Sequence, residues 1–319
     1  YTDAPMPAQT MMDHVYSHRL VEGMKHAFGL RMSLGDPDFV NVTEVTEAMV
    51  DTDYIDGLRD MSSDDGVLLQ NEYGGEYGGF AEATVDDTPG NGEQRSRRMK
   101  EHGTGFMRGS VLPEDHGTSH LSIVDSAGNA IAITSTINTY FGSKIVSPTL
   151  GFVLNNQMDD FSISGENNYF GLAASDANHV EPGKKPLSSM SPSILLNQDG
   201  TPWIVGGASG GPHIITSTVQ VLLNVLGRGM DLLSAISSPR LHHQLSPNYV
   251  LVENQTVTWS SSGNPLPFVS PAELSTSLAS RGQGVQHNST SFGVTQFVLV
   301  GTDMTGVSDP RKDGRPAAP

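Results

Sequence analysis

Apolar and polar residues alternate sharply over His120 to Val124 and again over Ala130 to Thr136. The five residues between them, Asp125 to Asn129, carry turn chemistry, so the pattern predicts a hairpin with Thr118 at the mouth of its first strand. Upstream, Pro7 to Met32 has a helical period that sets Val15, Leu20, Met24 and Phe28 near one face, and shorter helices are expected near Thr43–Val50 and Thr52–Met61. Downstream, Gly151 to Ser162 reads as a short apolar strand running into polar residues, and Pro186 to Leu196 leads into another strand. Asn197 to Gly200 is a hairpin turn before Trp203 to Gly207. A glycine loop, Gly206 to Pro212, opens an apolar helix from about His213 to Leu226. A helix from Asp231, a strand from Tyr249, a helix from Pro271 and a strand from Phe292 to Val300 complete the pattern. Paired strands followed by helices indicate an α+β layered domain rather than alternating βαβ units.

Periodicity fades from Ser62 to Glu114, where glycine-aromatic and polar stretches have the composition of a flexible linker. Arg95, Ser96, Arg97 and Arg98 resemble a dibasic processing site, but a solvated charge run is the favoured reading. His14 and His18 share a helical spacing that would suit a metal, but no third ligand lies nearby in sequence, which favours solvent-facing side chains.

Composition narrows the function classes. The chain has 319 residues, 36% of them hydrophobic, enough for a substantial core. Its 35 acidic and 18 basic residues give a formal charge of -17, which argues against nucleic acid and anionic membranes as partners. Without cysteine there are neither disulfides nor thiolate zinc sites. Sequons at Asn41, Asn254 and Asn288 lean towards a secreted chain. No stretch approaches the length of a membrane span, and the chain does not begin with methionine or a signal peptide.

Taken singly, the candidate residues are ambiguous: Thr118 and Thr136 suit ordinary β-strands, Ser188 and Ser189 a turn before a strand, Tyr140 a buried aromatic, and Gly210–Gly211 a plain loop. Their order resolves the ambiguity. TSHLSIVD with STINTYFGSK, NNQMDDFS, PGKKPLSSMSP and SGGPHIIT follow one another as in the gamma-glutamyltransferase (gamma-glutamyl transpeptidase) family, and LGDPDFV, PRLHHQL and SDPRK add support. The chain resembles animal-type members, over the C-terminal part of the large subunit and the whole small subunit. Residues 1–117 would then be the end of the large subunit with a linker over about 62–114, and residues 118–319 the small catalytic subunit.

The resemblance implies an N-terminal nucleophile hydrolase fold, a four-layer αββα sandwich. It implies that a precursor cuts itself between Gly117 and Thr118, and that the two pieces stay together as a heterodimer. Cleavage converts the Thr118 nitrogen from an amide, which is no base, into an α-amine with a pKa of about 7.7–8.0 that can take the hydroxyl proton. Thr136 would orient the nucleophile, and Gly210 and Gly211 would form the oxyanion hole. Asn138, Gln157 and Asp160 would hold the substrate ammonium, with Asp159 as the alternative carboxylate. Ser188 and Ser189 would hold its carboxylate, and Tyr140 would stand in the active site. The implied donor is glutathione or another gamma-glutamyl compound, and the acceptor an amino acid, a peptide or water. Neither metal nor organic cofactor is implied. The expected location is extracellular or at the cell surface, through an anchor upstream of this chain. One departure stands out: the family's arginine for the substrate carboxylate comes from a region upstream of this sequence, and none of the arginines here matches its motif. Two rival readings remain, a related acylase acting on another amide and a non-catalytic glycoprotein.

Overall fold

The computed structural model describes residues 14–79, 117–258, 265–289, 292–312 and 314–318. Helices α1 (His14–Arg31), α2 (Thr43–Ala48) and α3 (Thr52–Met61) precede the hairpin of β1 (Thr118–Val124) and β2 (Ala130–Thr136). Then come β3 (Ser193–Leu196), β4 (Pro202–Ser209), α4 (His213–Leu226), α5 (Leu232–Ser237), β5 (Leu241–His242), β6 (Val250–Thr258) and β7 (Pro265–Val269). The last elements are α6 (Ala272–Ser280), β8 (Val285–Asn288), β9 (Val294–Val300) and β10 (Met304–Ser308).

The hairpin register pairs Thr118 with Thr136 and Val124 with Ala130. Asp125 closes the turn, its carboxylate accepting the amides of Ala127 and Asn129 and the side-chain amide of Asn129. One face of the hairpin stacks on an antiparallel sheet ordered β10-β9-β4-β3. Two adjacent glycines of β4 show how the layers fit. A Cβ on Gly207 would stand 2.5 Å from the His120 ring, on the hairpin side, and one on Gly206 would stand 2.0 Å from Phe297, on the other side. The inner face of the hairpin is polar and satisfied: His120 bonds Thr134 (2.7 Å) and Ser122 (3.0 Å), and Ser122 donates to the Gln296 carbonyl. Burial pulls the His120 imidazole down to about 4. The outer face carries Leu121, Ile123, Ile131 and Ile133, all exposed.

Helices α4 and α5 cover the far side of the four-stranded sheet, burying Val221, Leu232, Ala235 and Ile236 against Ile204 and Phe297. A second sheet orders β5-β6-β7, with β8 parallel to β6, and its Leu241, Val250 and Val252 pack with Val21 of α1 and with Leu274 and Leu278 of α6. Phe28 of α1 and Tyr73 join Phe170, Leu172 and Leu245 in another core. The segments on either side of Gly117 therefore share cores. The expected boundary at Gly117–Thr118 coincides with no break in packing.

Most predicted elements are present, within a few residues at their ends. The α+β class and the stacked sheets agree with the expectation. Three readings need correction. First, residues 62–79 are packed, not linker: Tyr73 is 1% exposed, donates to Glu22 (2.7 Å) and accepts from Lys25 (3.0 Å). A glycine-aromatic repeat looks like linker because its glycines serve close approach: a Cβ on Gly29 would stand 2.3 Å from the Tyr73 carbonyl oxygen. The rest of the linker, with its basic cluster at 95–98, lies outside the described residues. Second, His18 is fully buried, its Nε2 bonding the carbonyls of Ser63 and Gly66. Third, Gly151 to Leu154 forms no strand and leaves only a bridge between Val146 and Val153. Among the described residues no helix is long and apolar enough to cross a membrane.

Candidate active site

The mouth of the hairpin opens into a cleft. Thr118, Thr136, Asn138, Gln157, Asp160, Ser188, Ser189 and Gly211 all line it, joined by Arg31. The cross-strand pairing sets the first contact: Thr118 Oγ1 lies 2.8 Å from Thr136 Oγ1. Thr136 Oγ1 also accepts the Asn138 amide (2.8 Å). The Gly117 carbonyl accepts the Ile137 amide at 3.0 Å and lies 3.3 Å from Thr136 Oγ1. The peptide bond before Thr118 is thus polarised from the opposite strand, and the hydroxyl that would attack it is held by the same residue. Thr118 is 4% exposed.

Asn138 reaches the cleft from beyond the end of the strand. Strand β2 ends at Thr136, and Asn138 turns into the left-handed region at φ 76°, which asparagine tolerates better than most residues. Its side chain donates to the Asn156 carbonyl (3.1 Å). Asn156 in turn accepts from the amide and hydroxyl of Thr139. The blocks INTYFG and NNQMDD are two halves of one docked unit.

Gln157 and Asp160 lie on a short 3-10 turn, Gln157–Asp160, and their side chains bond one another. Asp159 points elsewhere. It is partly buried, Oδ2 has no hydrogen-bond partner, and desolvation pushes its carboxyl up against the single stabilising amide of Tyr169. Of the two carboxylates, Asp160 is the one in the cleft. Asn178 braces it, donating to the Asp160 carbonyl (2.7 Å) and accepting the Leu187 amide (2.9 Å). That second bond fixes the approach to Ser188 and Ser189.

The same serine segment is anchored from the α1 side. Asp36, buried in the LGDPDF turn, accepts the Lys185 amide at 2.8 Å. Backbone and salt-bridge contacts with Lys185 hold its carboxyl below the usual range. Ser175 donates to the Met32 carbonyl (2.5 Å). These contacts deliver Arg31, the last residue of α1, into the cleft, where Nη2 donates to Ser189 Oγ (3.2 Å). Burial lowers its guanidinium to about 10, opposed by the field of Asp160, so it is cationic at neutral pH. Sequence reasoning missed Arg31. The one available signal was a basic residue in the last turn of a helix, which reads as a partner of the helix dipole.

Gly210 and Gly211 take φ of 130° and 57°. Their carbonyls accept the amides of His213 and Ile214, which starts α4 and leaves its N-terminal end beside the cleft. A Cβ on Gly210 would stand 2.7 Å from Gly293 Cα. Gly293 is itself held by Arg240, whose Nη1 donates to its carbonyl (2.9 Å) and whose Nη2 pairs with Asp309 (2.7 Å). Arg311 adds a two-pronged pair with Glu253. This buried network ties the end of the chain to the back of the glycine loop.

Two expected placements fare differently. Tyr140 is half-exposed and is not among the residues lining the cleft. Of the sequons, Asn41 and Asn254 are exposed, whereas Asn288 is buried on β8.

Comparison with known proteins finds relatives over nearly the whole chain. The family described as Gamma-glutamyltranspeptidase matches residues 2–318. Glutathione hydrolase 2 of Arabidopsis thaliana is 40% identical over 312 residues, covering 94% of this chain and 47% of that protein, so the chain spans about half the length of this relative. A gamma-glutamyltranspeptidase from Pseudomonas nitroreducens superposes with a TM-score of 0.55 at 39% identity, over 62% of this chain and 98% of that one. A cephalosporin acylase from Bacillus halodurans, 22% identical, shares the fold over 94% of this chain and 44% of its own, with a TM-score of 0.64.

Proposed function

Because the chain belongs to the gamma-glutamyltranspeptidase family, we propose that it transfers and hydrolyses the gamma-glutamyl group of glutathione and related compounds through an ester on Thr118. The observation that carries this reading is the pairing, in one cleft, of the Thr118–Thr136 hydroxyl contact with groups matched to a zwitterion. Asp160 with Gln157 and Asn138 suits an ammonium, and Ser188 and Ser189 suit a carboxylate.

The first turnover is self-cleavage. Thr118 Oγ attacks the Gly117 carbonyl carbon, the Thr118 nitrogen leaves as an amine, and water hydrolyses the resulting ester. Thr136 has one hydroxyl proton and two neighbours to serve. While Gly117 is attached, donation to the Gly117 carbonyl polarises the scissile bond, Thr136 Oγ accepts a hydrogen bond from the Thr118 hydroxyl, and the hydroxyl proton passes to the departing Thr118 nitrogen as the ester forms. After cleavage that carbonyl is gone, and the proton turns to Thr118 Oγ and fixes the nucleophile. The new α-amine then accepts the Thr118 proton as Thr118 attacks the gamma-amide carbonyl. Negative charge develops on the carbonyl oxygen, where the Gly210 and Gly211 amides and the α4 N-terminus favour it. The amine product departs with the transferred proton, and water or an acceptor amine takes the acyl group.

The shared cores of Val21 and Phe28 would hold the two pieces together after cleavage, as a heterodimer from one precursor. The exposed sequons at Asn41 and Asn254 support an extracellular location. The test is release of the chromophore from a gamma-glutamyl anilide by the full-length protein. Free glutamate should compete, and Thr118→Ala should release nothing. Wild-type release by that variant would remove Thr118 from its role. An enzyme that glutamate does not inhibit would favour the acylase reading.

A further inference from the structure

We propose that Arg228 is a socket for a carboxylate supplied by the part of the protein upstream of this chain, an Asp or Glu side chain that docks beside the first turn of α1.

The observation that carries this is a buried guanidinium with no anion among the described residues. Arg228 lies just past the C-terminal end of α4 and is 5% exposed. Its Nη1 donates to Asn224 Oδ1 (2.9 Å), and Asn224, itself buried, donates to the Ala235 carbonyl (3.3 Å). That bond fixes the plane of the guanidinium. Nε and Nη2 are buried too, and neither has a hydrogen-bond partner among the described residues. Together they form the edge of a guanidinium that takes both oxygens of a carboxylate. The negative end of the α4 dipole favours the charge, but it satisfies neither N–H. Tyr16 is the neighbouring ring, its centroid 5.9 Å from Arg228 Cζ. Burial raises the Tyr16 phenol above its ordinary value, against the pull of Arg228, so at neutral pH it is uncharged and no counter-ion. Burial likewise lowers the Arg228 guanidinium, and the opposing field comes from Tyr16 rather than from a carboxylate.

Other buried arginines show what this fold does with such a group. Arg240 pairs with Asp309, and Arg311 pairs with Glu253 and Asp309. A buried cation without a partner is costly, which is why those two are paired. The position of Arg228 points to the source of its own partner. Tyr16 belongs to the first turn of α1, and His14 in that turn carries a second buried atom without a hydrogen-bond partner, Nδ1. A face with three such atoms is suited to being covered by polar groups. A relative has the chain to do so: Glutathione hydrolase 2 of Arabidopsis thaliana is matched over 47% of its length, so about half of that protein lies outside the match. The pair would join a residue on the C-terminal side of Gly117–Thr118 to chain on the other side, and it does not depend on the catalytic reading.

The experiment is a crystal structure of the full-length protein, followed by a double-mutant cycle. The structure should show an upstream Asp or Glu with carboxylate oxygens within about 4 Å of Nε and Nη2. Water alone at that edge, a free anion, or a carboxylate from residues 1–319 would overturn the proposal. In the cycle, Arg228→Met keeps a long packed stem and removes the charge, and the partner is changed to alanine. Each single variant should lower the urea midpoint by about 0.5 M or more, and the double variant should be no less stable than the worse single. Additive losses would overturn the pairing, because each side chain would then be held by something else. A wild-type midpoint that rises with added phosphate, in a protein whose Arg228→Met variant does not respond, would assign the socket to a free anion instead. Should Arg228→Met fail to fold, as judged by circular dichroism, Arg228→Lys takes its place. Lysine keeps the charge but not the fork, so part of the stability should be lost. An unchanged midpoint in that variant would be equally fatal.

Discussion

The two ends of the cleft are built in opposite ways. The nucleophile end is local: Thr118, Thr136 and the Gly117 carbonyl sit within one hairpin, and cross-strand register alone brings them together. The other end is assembled from three distant segments, with Arg31 from α1, Gln157 and Asp160 from a 3-10 turn, and Ser188 and Ser189 from the stretch before β3. The first end is uncharged and nearly closed; the second holds a cation and an anion. A reactive hydroxyl needs angular control, which a short hairpin gives. A zwitterionic head needs charges several ångströms apart, which no single turn can carry. The contrast predicts that changes at the first end lower kcat and changes at the second raise KM.

The largest break in that comparison short of removing Thr118 is Gly211→Val. A branched side chain is strained at φ 57° and would turn an amide away from the developing oxyanion. Turnover should fall by about 10²–10³ with KM little changed. Wild-type turnover would reduce the glycine loop to a connector.

Asp160→Ala tests the other end. Loss of a charge-assisted bond of about 1.5–3 kcal/mol should raise KM by roughly ten-fold or more while processing at Thr118 continues. Asp159→Ala is the control and should leave KM near its starting value, because Asp159 does not line the cleft. The reverse result would exchange their roles.

The smallest effect on chemistry, and a useful one on stability, concerns the buried histidines behind the glycine loop. His213 packs edge-on to His242 with ring centres 4.2 Å apart, and burial holds His213 and His243 well below their ordinary value and His242 at about 4. The folded state therefore binds fewer protons than the unfolded chain as pH falls through about 6.5 towards 4. Their stabilisation is complete above about 6.5 and is lost on acidification. The urea midpoint should fall between about pH 7 and pH 5, and His242→Gln should flatten the fall. An unchanged slope in that variant would show that other groups dominate.

How much was legible follows the same division. The hairpin, its mouth at Thr118 and the glycine loop could be read because alternation, a turn cluster and a glycine pair are local signals. Asn138 was legible only through the block that contains it, because the chain leaves β2 at Thr136 and turns at φ 76°, which no alternation signals. Arg31 was invisible because its meaning depends on a bond across 158 residues. Tyr73 was misread because a glycine-rich stretch looks the same whether its glycines give freedom or allow close approach, and only the contact at Gly29 distinguishes them. His18 was misread because neighbouring carbonyls satisfy it, and those come from residues 63 and 66.

The central claim is that the Gly117–Thr118 bond is the substrate of the chain's own first reaction. Its most direct test is the intact mass spectrum, with N-terminal sequencing, of the purified full-length protein beside its Thr118→Ala variant. The account predicts two pieces in the wild type, one beginning at Thr118, and a single uncut chain in the variant. An uncut wild-type chain, or a variant cut at the same bond, would contradict it.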